Sequence, residues 1–174
     1  RSPGFERALV LGEQSDGLEV IPRPGADVRQ RNVSTVLDAR RGIGAPATLD
    51  ITTRYGGALA DSMRPLFQGG MMEQRQTDYA SYIARYYSTA KVREPLVVND
   101  DRERNVLEVR ERYTLASAFA ANNEGVLELV LHPDELYNYA EPLGAGSRQA
   151  PLWLEYPVPV RQAAACWPAS SASA

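Results

Sequence analysis

The feature that most constrains this chain is a change of hydrophobic period along its length. In ATLDITTRYGG, residues 47–57, Leu49, Ile51, Thr53 and Tyr55 alternate with Asp50, Thr52 and Arg54. A period of two gives a strand one apolar face and one wet face. Gly56-Gly57 closes that run, and the period then lengthens. ALADSMRPLF and MMEQRQTDYASYIARYY lack alternation and are rich in helix formers, with Gly69-Gly70 between them. Met72, Arg75, Tyr79, Tyr82, Ile83 and Tyr86 recur three or four residues apart, which predicts a helix over 71–87. Alternation returns in KVREPLVVND and in NVLEVRERYTL, where Leu107, Val109 and Tyr113 oppose Glu108, Arg110 and Arg112. Each period buries an apolar face only in its own geometry. The expected fold is therefore α+β and mainly β. It is an antiparallel β-sandwich-like domain with one or two helices packed on a sheet face and the run 105–115 central.

The flanks add shorter elements. RALVLGE and GLEVIP surround the turn signal Ser15-Asp16-Gly17 and read as a hairpin. VRQRNVSTVLDAR is a further long strand-like run, and DDRER between two strand runs reads as a hairpin loop. GVLELVLH places Leu127, Leu129 and Leu131 on one face, and Pro133-Asp134 starts a helical turn, DELYNYA. LGAGSRQ is a loop. In PLWLEYPVPVRQ, Pro157 and Pro159 confine the strand 151–162 to an edge. The small residues of AAACWPASSASA show no period and predict a disordered end.

Composition removes several classes of function. The net charge of −3, with the two signs intermixed, leaves no footprint for nucleic acid and no polybasic membrane contact. No apolar run approaches the ~18 residues of a membrane span. One cysteine and one histidine allow no disulfide within the chain and no Cys/His zinc site. The sequence opens at Arg1 without an initiator Met or a signal-peptide pattern, and reads as a piece of something longer.

Candidate chemistry is sparse. ACWPAS looks like the small-Cys-Trp segment around a thiol nucleophile, but Pro168 follows and the sole imidazole, His132, lies far upstream. Asn99, Asp100, Asp101 and Glu103 lack the spacing and the glycine of a calcium loop, and Arg102 and Arg104 interleave. LGAGS and GIGAP lack the strand-loop-helix setting of a phosphate cradle. The expectation is no metal, no cofactor and no catalytic triad, with the tyrosine stripe packed on a sheet.

Taken in order, ATLDITTRYGGALADSMR, YASYIARYY, REPLVVNDDRERNVLEVRERYTL and PLWLEYPVPVRQ resemble a known arrangement. It is the region following the catalytic core in bacterial transglutaminase-like proteins that begin with a domain of unknown function. The likeness spans about residues 3–162 and departs in the tail, where the family pattern continues with further strands. It implies an upstream papain-like core with a Cys-His-Asp triad, none of whose catalytic residues maps here. Residues 1–27 would be linker and edge strands after that core, 28–162 a β-sandwich-like accessory domain, and 163–174 a disordered tail. The implied role is a non-catalytic accessory domain that packs on or positions the core, in the periplasm or cell envelope. The alternative is a free-standing peptide- or glycan-binding module presenting Tyr82, Arg85, Tyr86, Asp101 and Arg102. The implied partner is the upstream core of the same parent, with no nucleic acid and no membrane. Weak self-association through an exposed edge strand is also expected.

Overall fold

The computed structural model describes residues 7–9, 17–20, 29–68, 70–132 and 160–167. Strands β1 (Arg7–Leu9) and β2 (Leu18–Val20) pair antiparallel, as the turn signal between them requires. The body is a five-stranded sheet of β3 (Arg29–Asp38), β4 (Ala47–Gly57), β5 (Lys91–Asp101), β6 (Val106–Leu115) and β9 (Val160–Trp167). Their order across the sheet is β5-β6-β4-β3-β9. A two-residue ribbon joins β7 (Ala120–Ala121) to β8 (Leu127–Glu128). Helix α1 (Ala58–Met63) runs into a 3-10 turn, Arg64–Phe67, and α2 spans Met72–Tyr86.

The register turns the alternation into one face. Ile51 of β4 sits opposite Thr35 of β3 and Glu111 of β6, and Leu49 sits opposite Leu37 and Tyr113. Thr35 in turn faces Ala164 of β9. These inward positions meet α2 in two clusters. At the end nearer the β5–β6 turn, Tyr79, Met72 and Phe67 pack on Tyr55, Leu96, Leu107 and Val109. At the other end, Ile83, Tyr82 and Tyr87 pack on Leu37, Leu49, Tyr113 and Leu115. A helix laid along a sheet in this way buries its stripe and the inward residues together.

Two polar devices fix that arrangement. Register shifts near Glu94 interrupt β5, and the backbone N–H of Leu96 donates instead to Gln76 Oε1 of α2, 2.6 Å away. An otherwise unsatisfied ladder donor is thereby used to hold the helix. Asn105 adopts φ 52 in the β5–β6 turn, and its carbonyl accepts from the N–H of Gly57, itself at φ 60 before α1. Asparagine and glycine are the residues that take such angles at least cost. Arg64 ties the same corner together by donating to Asp61 at 2.5 Å, Asn105 at 2.7 Å and Asp100 at 2.7 Å.

Helix 71–87 and the β5–β6 hairpin agree with the alternation; the run 105–115 lies inside the sheet between β5 and β4, although the middle strand is β4. Three expectations need correction. The sheet is mixed, because β9 runs parallel to β3. Alternation assigns a face but not a direction, and the long connection through 133–159 permits the crossover that a parallel neighbour needs. The described strands form no second sheet stacked on the first, and the inner face is instead covered by α2. Finally, Ala163–Trp167, read as part of a disordered tail, continue β9, whose described part starts beyond Pro159. Pairing with β3 supplies the order that three alanines lack in intrinsic propensity. Similarly, GVLELVLH contributes only Leu127–Glu128 as strand, while Leu129 and Leu131 pack against the core. The helical turn DELYNYA, the loop LGAGSRQ and residues 151–159 of the edge strand lie outside the described residues.

Candidate functional site

Between α2 and the β3–β9 side of the sheet lies a cleft of about 340 Å³. Arg31, Thr35, Thr53 and Glu111 contribute to it from inward strand positions, and Gln162 joins them from β9. Asp78, Tyr79, Tyr82 and Tyr86 of α2 line the opposite wall, with Leu131 and His132 beside them. Val33, Leu49 and Ile51 fill the spaces between the polar groups. An apolar concavity with a few converging polar groups is the usual form of a small-molecule site.

Glu111 is its most perturbed group. The residue is 5% exposed, and its Oε2 accepts a hydrogen bond from the Tyr113 hydroxyl at 2.7 Å. Burial raises its pKa to about 7, against the opposing pull of the Tyr113 bond and of the Arg31 charge. Loss of solvent penalises the ionised form more than these two partners favour it. Tyr79 is pushed above the ordinary tyrosine range by burial, with Tyr55 and Glu111 adding to the shift. Tyr113 is raised by burial and then by Glu111. Both phenols therefore keep their protons and act as donors. The Arg31 guanidinium lies over the Tyr55 ring, 5.5 Å from its centre.

The rim is aromatic. Tyr82 and Tyr86 meet edge to face with ring centres 5.4 Å apart, and the Arg85 guanidinium lies 4.6 Å from the Tyr82 centre. The His132 ring sits 4.5 Å from Tyr86 and 5.7 Å from Tyr87. Gln162 Nε2 donates to the His132 carbonyl at 3.2 Å, while Gln162 Oε1 is buried without a hydrogen-bond partner. Asp78 is held by Arg75 at 3.1 Å and by Gln74 at 2.8 Å.

The five residues singled out as a binding surface fall into two places. Tyr82, Arg85 and Tyr86 stand at the cleft. Asp101 and Arg102 belong to the β5–β6 turn region, beside α1 and away from the cluster that Tyr82 joins. In that turn Asp100 accepts from Arg64 and from Arg102, and Asp101 accepts from the Arg104 N–H at 2.9 Å. Those carboxylates are engaged in fixing the hairpin. Cys166 lies four positions along β9 from Gln162, the residue that meets His132. At roughly 3.3 Å per residue, the backbones of Gln162 and Cys166 are about 13 Å apart along the strand, and the contact Gln162 makes is with the His132 backbone carbonyl.

Glu111, Arg31 and Gln162 went unnoticed in the sequence, although each carries a parity signal. Glu111 shares the inward register of Leu107, Val109 and Tyr113, and Arg31 that of Val33 and Leu37. A charged residue in phase with the apolar face marks a buried polar site. Gln162 gave no such signal, because the small residues that follow it show no period. No protein-family model matches the chain, and no curated protein or solved structure matches it either.

Proposed function

We propose that this chain is a non-catalytic accessory domain of a transglutaminase-like protein, which packs on the catalytic core of its parent and positions it. The observation that carries this reading is the β1–β2 hairpin. Leu9 pairs with Leu18, and Val20 lies on the same face two residues on, so three apolar side chains share one side of the ribbon. They are 55%, 63% and 72% exposed. A bare two-stranded ribbon is marginal in water, and clustered apolar exposure marks an interaction surface. The resemblance assigns this stretch to the boundary with the core, which makes the core the natural cover. On the same reading, the five-stranded sheet is one layer of the β-sandwich-like region that the resemblance implies.

The test is to titrate this chain with the parent's upstream core and to repeat it with the double variant Leu18→Asp, Val20→Asp. Loss of about tenfold or more in affinity, with the isolated chain's melting point unchanged, is the expected result. Equal affinity for both forms would remove the hairpin from the interface. A second reading, a peptide- or glycan-binding module, is favoured by the tyrosine-rimmed cleft.

A further inference from the structure

We propose that the cleft between α2 and strands β3, β4 and β9 is a binding site for a single neutral sugar ring, stacked on Tyr86 and hydrogen-bonded to Gln162 and the threonine hydroxyls at its base. This narrows the binding-module reading to one site and one ligand class, and it is independent of the hairpin.

Four observations converge on that ligand. First, the cleft holds groups of both charge signs, Arg31 and Glu111. Arg31 lowers the tendency of Glu111 to stay neutral, and Asp78 is already paired with Arg75. An anion would meet Glu111 and a cation would meet Arg31, each in a partly desolvated site where repulsion is poorly screened. Second, Gln162 Oε1 is a buried acceptor without a partner. Such an atom carries the full desolvation penalty until a donor reaches it, and a hydroxyl supplies one. Third, Thr35 and Thr53 lie on adjacent strands on the cleft side, Thr35 opposite Ile51 and Thr53 opposite Val33. Hydroxyls both donate and accept, as do the hydroxyls of a sugar. Fourth, Tyr86 is 38% exposed at the rim, and the part of its ring that Tyr82 and His132 leave uncovered offers an apolar surface to the C–H face of a pyranose.

The dimensions and the backbone argue against a peptide. About 340 Å³ is at the lower end for small-molecule pockets. The backbone groups of β3 and β4 beneath the cleft are paired on both sides over residues 31–38 and 48–56. An extended peptide is held mainly through free main-chain edges; β3 and β4 offer none, and a peptide would have to reach the outer edge of β9 instead.

The experiment is a ¹H–¹⁵N NMR titration of the whole chain with glucose, galactose and N-acetylglucosamine in turn. Glucuronate, glucosamine and an uncharged tripeptide form the comparison arms. The expected result is saturable shifts of amides in 31–35, 51–53, 79–86 and 162–164, with a Kd on the order of 1 mM for at least one neutral sugar. Tyr86→Ala and Gln162→Leu should each weaken it at least about fivefold, while the unliganded spectra show both variants folded. Equal or tighter binding of glucuronate or glucosamine would overturn the neutral-ligand assignment. Tripeptide binding without sugar binding would overturn the sugar but leave the binding-module reading standing. Silence from every ligand would overturn both.

Discussion

Replacing Glu111 by glutamine should make the chain more stable at pH 8 and reverse part of its dependence on pH. Glu111 has a pKa of about 7 in the folded state, against an ordinary value of 4.5. Below pH 4.5 the carboxyl is protonated whether the chain is folded or not, so its burial carries no ionisation penalty. As pH rises, the unfolded chain ionises first and is favoured, and stability falls until the folded carboxyl also ionises near pH 7. At about 1.4 kcal/mol per pH unit, the full window amounts to roughly 3 kcal/mol, of which about 2.5 falls between pH 5 and pH 8. Glu111→Gln removes this term while keeping an acceptor for the Tyr113 hydroxyl. Asp38 and Asp100 have lowered pKa values, Asp38 to about 2, so their contributions are lost in acid, outside this window. Urea unfolding of both proteins at pH 5, 6, 7 and 8 isolates the Glu111 term, since shared contributions cancel in the difference. The variant should be within about 1 kcal/mol of the parent at pH 5 and about 2 kcal/mol more stable at pH 8. Parallel curves across the whole range would refute the buried-carboxylate reasoning.

Three further outcomes follow from the fold. Ile83→Ala should destabilise by about 2 to 4 kcal/mol, because Ile83 is the α2 side chain buried in the core, and chemical unfolding measures it. Arg64→Ala should leave Asp61, Asp100 and Asn105 without their shared donor, and amides 101–106 should exchange with deuterium at least about tenfold faster. Strand β9 pairs only with β3 among the described strands, so light scattering should detect weak self-association, reduced by Ala163→Lys.

The hydrophobic period made the helix, the hairpin and the long inner strands legible, because burial imposes its geometry directly on the spacing of side chains. Leu49, Tyr55, Leu107 and Tyr113 all lie where alternation placed them. Partner choice was not legible in the same way. Nothing in VRQAAACW states that it joins β3, since its order comes from a ladder with a distant strand. The cleft was half visible. Tyr82 and Tyr86 stood out by spacing, but the groups they face come from residues 31, 35, 111 and 162, which only the sheet register brings together. Tyr86 and Asp101 fall in different places for the same reason, since nearness in sequence says little about which end of a sheet a side chain reaches.

The proposal that this chain is an accessory domain is tested most directly by hydrogen–deuterium exchange on the chain with and without the parent's upstream core. Added protection at 7–9 and 18–20, spreading little into the sheet, is the result the exposed face of Leu9, Leu18 and Val20 predicts. Unchanged exchange in that hairpin at core concentrations of about 100 μM, weaker than a domain interface of this kind sustains, would contradict it.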